Sequence, residues 1–97
     1  METSDLRSLR EKIDAIDEQL IELLAKRFRA TDQVGQLKAL AGMSAVDLER
    51  EQQQAQRHEM LATKNELSPV FAQQVFRLII GEVVTKHRAI AAHREGQ

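Results

Sequence analysis

Apolar residues recur at alternating three- and four-residue steps through the first part of the chain: Leu6, Leu9, Ile13, Ile16, Leu20, Leu23, Ala30, Val34 and Leu37. That rhythm is the seam of a long helix packed against other helices. Arg27 stands on the same seam, between Leu23 and Ala30, where a leucine belongs. A guanidinium on a packed seam is costly unless an anion meets it. Thr3, Ser4 and Asp5 offer N-cap oxygens, Gly42 suits the C′ position, and no proline intervenes, so a helix is predicted over Ser4 to Ala41. Gly35 is its one weak helix former and marks a close helix approach or a ligand. Ser44 is read as the cap of a second helix, with Asp47 in a capping-box-like relation, running to about Lys64. Ser68-Pro69 starts a third, which runs to about Ala92 before the end frays. There is no repeat, no low-complexity tract and no strand pattern. The expected fold is all-α, three helices with a very long first one.

A helix of that span is about 57 Å long at 1.5 Å per residue. A compact domain of this size is only roughly 30–35 Å across. Two shorter helices cannot cover the whole apolar seam, so a second chain is expected to do so. The prediction is an intertwined homodimer with the long helices antiparallel about a twofold axis. The alternative is a three-helix monomer with a protruding arm.

With 97 residues the chain is expected to be one domain, 1–97. It has no cysteine, which fits a reducing compartment. No apolar run approaches the roughly 20 residues that span a bilayer. The opening METSDLRSLREK lacks the apolar core of a secretory signal. A soluble cytoplasmic protein is therefore expected, with no membrane partner. Fourteen Lys and Arg against fifteen Asp and Glu leave a net charge of -1, so a general nucleic-acid partner is not expected. Phe28, Phe71 and Phe76 are the only aromatic residues of the Phe, Tyr and Trp class, too few for a base-stacking platform.

The charges converge nonetheless. Arg27 and Lys38 are eleven residues apart, which on a helix returns to within about 20° and separates them by about 16 Å. Arg10 points elsewhere on its own helix, but in an antiparallel pair Arg10 of the partner subunit reaches the space between them. Asp47, Arg50 and Glu51 fall on one face of the second helix; alone, such a triplet is ordinarily a surface salt-bridge cluster. Phe76, Ile80, Val83, His87 and Ile90 form the inward stripe of the third, where a lone histidine is ordinarily a satisfied core residue. His58 and His93 are read as solvated and without a role. The cationic set Arg27, Lys38, Arg50 and the partner's Arg10, beside two acids, suits a small dianion carrying a hydroxyl. There is no Cys, no Ser-His-Asp set, no metal-ligand spacing and no Gly-rich phosphate loop. No metal or cofactor is expected, and chemistry would come from positioning and electrostatics.

These residues resemble a known family. LRSLREKIDAIDEQLIELLAKR at 6–27, VGQLK at 34–38, DLERE at 47–51 and FRLIIGEVV at 76–84 are similar to the all-helical (AroQ-type) chorismate mutases, notably their short free-standing bacterial form. The resemblance covers essentially the whole chain, and the order and spacing of its charges make it specific. It implies conversion of chorismate to prephenate in aromatic amino acid biosynthesis, by an intramolecular Claisen rearrangement without cofactor or covalent intermediate. It implies an intertwined all-α dimer with two active sites. Arg27 and the partner's Arg10 would bind the substrate carboxylates, and Lys38 would bridge a carboxylate and the ether oxygen. Arg50 would lie in the cationic wall, and Asp47 and Glu51 would hold the ring hydroxyl.

Two positions depart from the family's commonest pattern. His87 stands where Gln or Glu usually donates a hydrogen bond to the ether oxygen; a ring N–H can do the same. It would also make the pH profile steeper than an amide does. Val83 stands where a serine often contacts a carboxylate. The same scaffold could serve as an isochorismate pyruvate-lyase or a 4-amino-4-deoxychorismate mutase. A non-catalytic regulatory or dimerisation module is the alternative from another class.

Overall fold

The computed structural model describes residues 3–96. Three helices follow in order: α1 (Ser4–Ala41), α2 (Leu48–Lys64) and α3 (Pro69–Glu95), and no strand occurs among the described residues. The all-α expectation holds, and the span of α1 is the one read from the apolar rhythm. α3 runs three residues further than Ala92. Two units divide the chain between Thr31 and Asp32.

The first unit is helical from Ser4 onward. Thr3 begins it: its hydroxyl accepts from the Leu6 amide at 3.1 Å, and its carbonyl accepts from the Arg7 amide at 2.9 Å. These bonds satisfy donors that the first turn leaves without intrahelical partners. The apolar seam lies open in the single chain. Leu9, Ile13, Ile16, Leu20 and Leu23 are between 48% and 62% exposed.

The second unit holds the end of α1 and the α2–α3 pair. α1 stops at Gly42, whose φ of +67° places it in the left-handed region that glycine enters without strain. Its amide donates to the Ala39 carbonyl at 3.3 Å, and the Met43 amide to that of Lys38 at 2.8 Å. Together these bonds form a Schellman cap. The start of α2 differs from the expectation. Ser44 does not cap it; the Ser44 hydroxyl accepts from the Val46 amide at 3.2 Å and shapes the connection instead. Asp47 is the cap, with extended backbone and a carboxylate that accepts from the Arg50 amide at 3.0 Å.

α2 and α3 pack against each other as a helical hairpin. The turn begins with a second Schellman cap, in which Glu66 takes the left-handed position at φ 57°. The Glu66 amide donates to Thr63 at 3.2 Å and the Leu67 amide to Ala62 at 2.9 Å. Ser68 then caps α3 through the Phe71 amide at 3.2 Å, with Pro69 in the first turn, as expected. Small residues let the helices approach beside the turn, where Ala62 and Ala72 are buried. Further along, the Gln73 side-chain Nε2 donates to the Ala55 carbonyl at 2.7 Å. The His58 ring stacks on Phe76 with centroids 3.7 Å apart and planes 19° from parallel. His58 is therefore half-buried in the helix pair, a correction to its reading as a solvated position. Among the described residues, no large side chain is fully buried.

Candidate active site

Lys38 leaves α1 four residues before its Gly42 end. It is half-buried, and its ammonium donates to the Ala45 carbonyl over a long 3.5 Å. An ammonium has three donors, so this contact leaves capacity for an anion. Lys38 and Asp47 line one cavity of about 450 Å³, together with Met43, Ser44, Val46 and Leu48. That volume is in the usual range for a small-molecule site. Its walls come from the α1–α2 connection, so the Ser44 turn and the Asp47 cap shape it directly.

Arg50 and Glu51 open α2. Both amides are held by Asp47: that of Arg50 by its carboxylate, and that of Glu51 by its carbonyl at 3.0 Å. Asp47 and Glu51 thus meet at one helix start, yet their surroundings differ. Asp47 and Arg50 are exposed, whereas Glu51 is half-buried. Glu51 lines a second cavity of about 520 Å³ between α2 and α3, along with His58, Phe76, Arg77, Thr85 and Arg88. Asp47 is not on a helix face beside Arg50 and Glu51, as the i, i+3, i+4 spacing had it; it precedes the helix with φ -131° and ψ 93°. The carboxylate is used as a cap, which fixes the backbone from which Arg50 and Glu51 project.

On α3, Val83 is half-buried and His87 is buried at 5% exposure. The His87 ring lies against Gly35 of α1. Gly35 is thus a place of close helix approach, one of its two sequence readings. In the first unit, Arg27 is half-buried, with Nη1 shut off from solvent, and Arg10 is exposed. Sequence reasoning placed Phe76 on the inward stripe of α3 but gave its stacking partner His58 no role. The signal for His58 was present: Glu51, Ala55 and His58 follow i, i+4, i+7 and share one face of α2.

Among the described residues, no group of three or more His, Cys, Asp or Glu side chains is arranged to hold a metal ion. No helix among them is long and apolar enough to cross a membrane.

Comparison with known proteins gives a consistent picture. The model of the family described as chorismate mutase type II matches residues 9–88. The bifunctional chorismate mutase/prephenate dehydratase of Escherichia coli strain K12 is 35% identical over 85 residues, covering 88% of this chain and 22% of that protein. The protein of the same name from Buchnera aphidicola subsp. Schizaphis graminum is 31% identical over 87 residues, covering 90% of the chain and 23% of that protein. The T-protein of Haemophilus influenzae is 35% identical over 77 residues, or 79% of the chain and 20% of that protein. The chain therefore spans about a fifth of the length of the curated relatives it matches.

Proposed function

The chain belongs to the chorismate mutase type II family, and on that premise we propose that it catalyses the rearrangement of chorismate to prephenate in aromatic amino acid biosynthesis. The family match carries the reading, because residues 9–88 include Arg10, Arg27, Lys38, Asp47, Arg50, Glu51, Val83 and His87. The half-buried Lys38 beside a 450 Å³ cavity supports it.

In this reading Arg27 and the partner's Arg10 clasp the two carboxylates of chorismate. Lys38 bridges a carboxylate and the ether oxygen, and His87 donates to that oxygen from a ring N–H. Arg50 adds positive potential, and Asp47 with Glu51 holds the ring hydroxyl. As the C–O bond breaks, negative charge grows on the ether oxygen. Donors aimed there bind the transition state more tightly than the ground state, and this differential lowers the barrier. The cationic groups also hold the flexible substrate in the compact conformer from which the rearrangement proceeds. Val83 supplies an apolar wall where a hydroxyl would otherwise meet a carboxylate.

The active form is a homodimer. The open seam of Leu9, Ile13, Ile16, Leu20 and Leu23 supports this, since an apolar stripe of that length is ordinarily covered. The site of action is the cytoplasm.

The test is loss of chorismate absorbance with purified protein, run beside isochorismate and 4-amino-4-deoxychorismate. Turnover of chorismate to prephenate is expected. Preference for either analogue moves the assignment to that sister activity, and no turnover of any of the three overturns the enzymatic reading. Light scattering on the same sample is expected to give twice the 11.0 kDa chain mass.

A further inference from the structure

Of the four glycines, Gly35 stands where a neighbouring side chain fills the space of its missing one. A Cβ on Gly35 would lie 2.6 Å from Cδ2 and 3.1 Å from Nε2 of His87, and 3.0 Å from Cδ1 of Ile90. The imidazole therefore lies with its Cδ2–Nε2 edge against the backbone of α1. It is buried there, 5% exposed, and α1 residues on either side of Gly35 carry side chains. Ile90 closes the same space from the other turn of α3.

We propose that Gly35 is a positioning residue for His87: the side-chain-free notch on α1 sets where the imidazole lies and which way its ring nitrogens point. The claim rests on the reading of His87 as donor to the ether oxygen. A rigid flat ring has only its χ1 and χ2 angles to adjust, so its donor is aimed by what its edge touches. A flexible amide at this place can bend round an added methyl. The pairing of a bare backbone at 35 with a ring at 87 thus reads as one device.

Replacing Gly35 by Ala sets two effects against each other. Within a helix, alanine is favoured over glycine, so propensity alone raises the thermal midpoint. A carbon placed 2.6 Å from Cδ2 overlaps it, and the ring must shift. The overlap wins if the ring is held as tightly as its burial implies.

The experiment compares wild type, Gly35→Ala, His87→Gln and the double variant. It reads kcat, KM, the thermal midpoint and the long-range proton–nitrogen resonances of the imidazole. Gly35→Ala is expected to lower kcat by about 10²-fold, the scale of an ångström-size misplacement, with a smaller change in KM. It is also expected to move the His87 resonances and to lower the midpoint. In the His87→Gln background the same substitution is expected to cost a small fraction of that, a non-additivity that a purely structural role would not produce. A raised midpoint with unchanged kcat overturns the proposal, as does an equal loss in both backgrounds. If Gly35→Ala does not fold, recovery in the double variant supports the proposal, and failure of both overturns it. Absence of chorismate turnover in the wild type overturns the mutase reading alone; the resonances and the midpoint coupling still decide the role of Gly35.

Discussion

Lys38 is the side chain on which the proposed chemistry leans most. Its ammonium is half-buried, faces a cavity and spends one long hydrogen bond on the Ala45 carbonyl. A donor in that state can transfer its attention to a developing oxyanion with little reorganisation. Lys38→Ala is expected to lower kcat/KM by about 10²–10³-fold, or ~3–4 kcal/mol, with the fold intact by circular dichroism. An activity within threefold of wild type would remove Lys38 from the chemistry.

At the scale of elements, helix ends decide what surrounds the site. Both Schellman caps place one residue in the left-handed region, but only the cap of α1 has a glycine there. Glu66 carries a side chain at φ 57°, a conformation that costs a non-glycine residue roughly 1 kcal/mol. Glu66→Gly is expected to stabilise the fold by somewhat less than that, because glycine also gains freedom in the unfolded chain. At the usual 4–8 °C per kcal/mol for a domain of this size, the thermal midpoint is expected to rise by about 2–6 °C. A fall would show that Glu66 makes contacts worth more than its strain.

The same ends explain what could be read from residues and what could not. α1 was legible because its apolar rhythm, interrupted only by Arg27, runs on toward a glycine, and the start of α3 because Ser68-Pro69 has few other uses. The start of α2 was not. Ser44 and Asp47 are both good caps, three residues apart, and propensity does not rank them. The chain uses Ser44 to bend the connection and Asp47 to begin the helix. The left-handed Glu66 had no glycine to announce it. His58, between Arg57 and Glu59, reads as a solvated run until α3 supplies Phe76 to stack on it. Of the candidate site, Lys38 and Asp47 were grouped in one pocket by their charges, and Gly35 was marked as a close approach or a ligand position because it is the one weak helix former of α1. The burial of His87 in the Gly35 notch needed the packed helices.

At the scale of the whole molecule, the open seam of α1 bears on how many chains make a site. Leu9, Ile13, Ile16, Leu20 and Leu23 are each about half exposed, so covering each gains about 1 kcal/mol, half the usual value for full burial. Two chains together gain roughly 10 kcal/mol from these residues, the same order as the 4–15 kcal/mol cost of association. Leu6, Ile21 and Leu24 are further exposed apolar residues of α1 that a proposed second chain could cover. If each site takes Lys38 from one chain and Arg10 from the other, two inactive variants should complement. Arg10→Ala and Lys38→Ala are each expected to be nearly inactive alone. Refolded together in equal amounts, half of the pairs are mixed, and each mixed pair holds one site with both groups intact. Activity is then expected to return to about a quarter of the wild-type value. If Arg10 instead served its own chain, every site in the mixture would lack one group, and the refolded sample would stay as inactive as its parts.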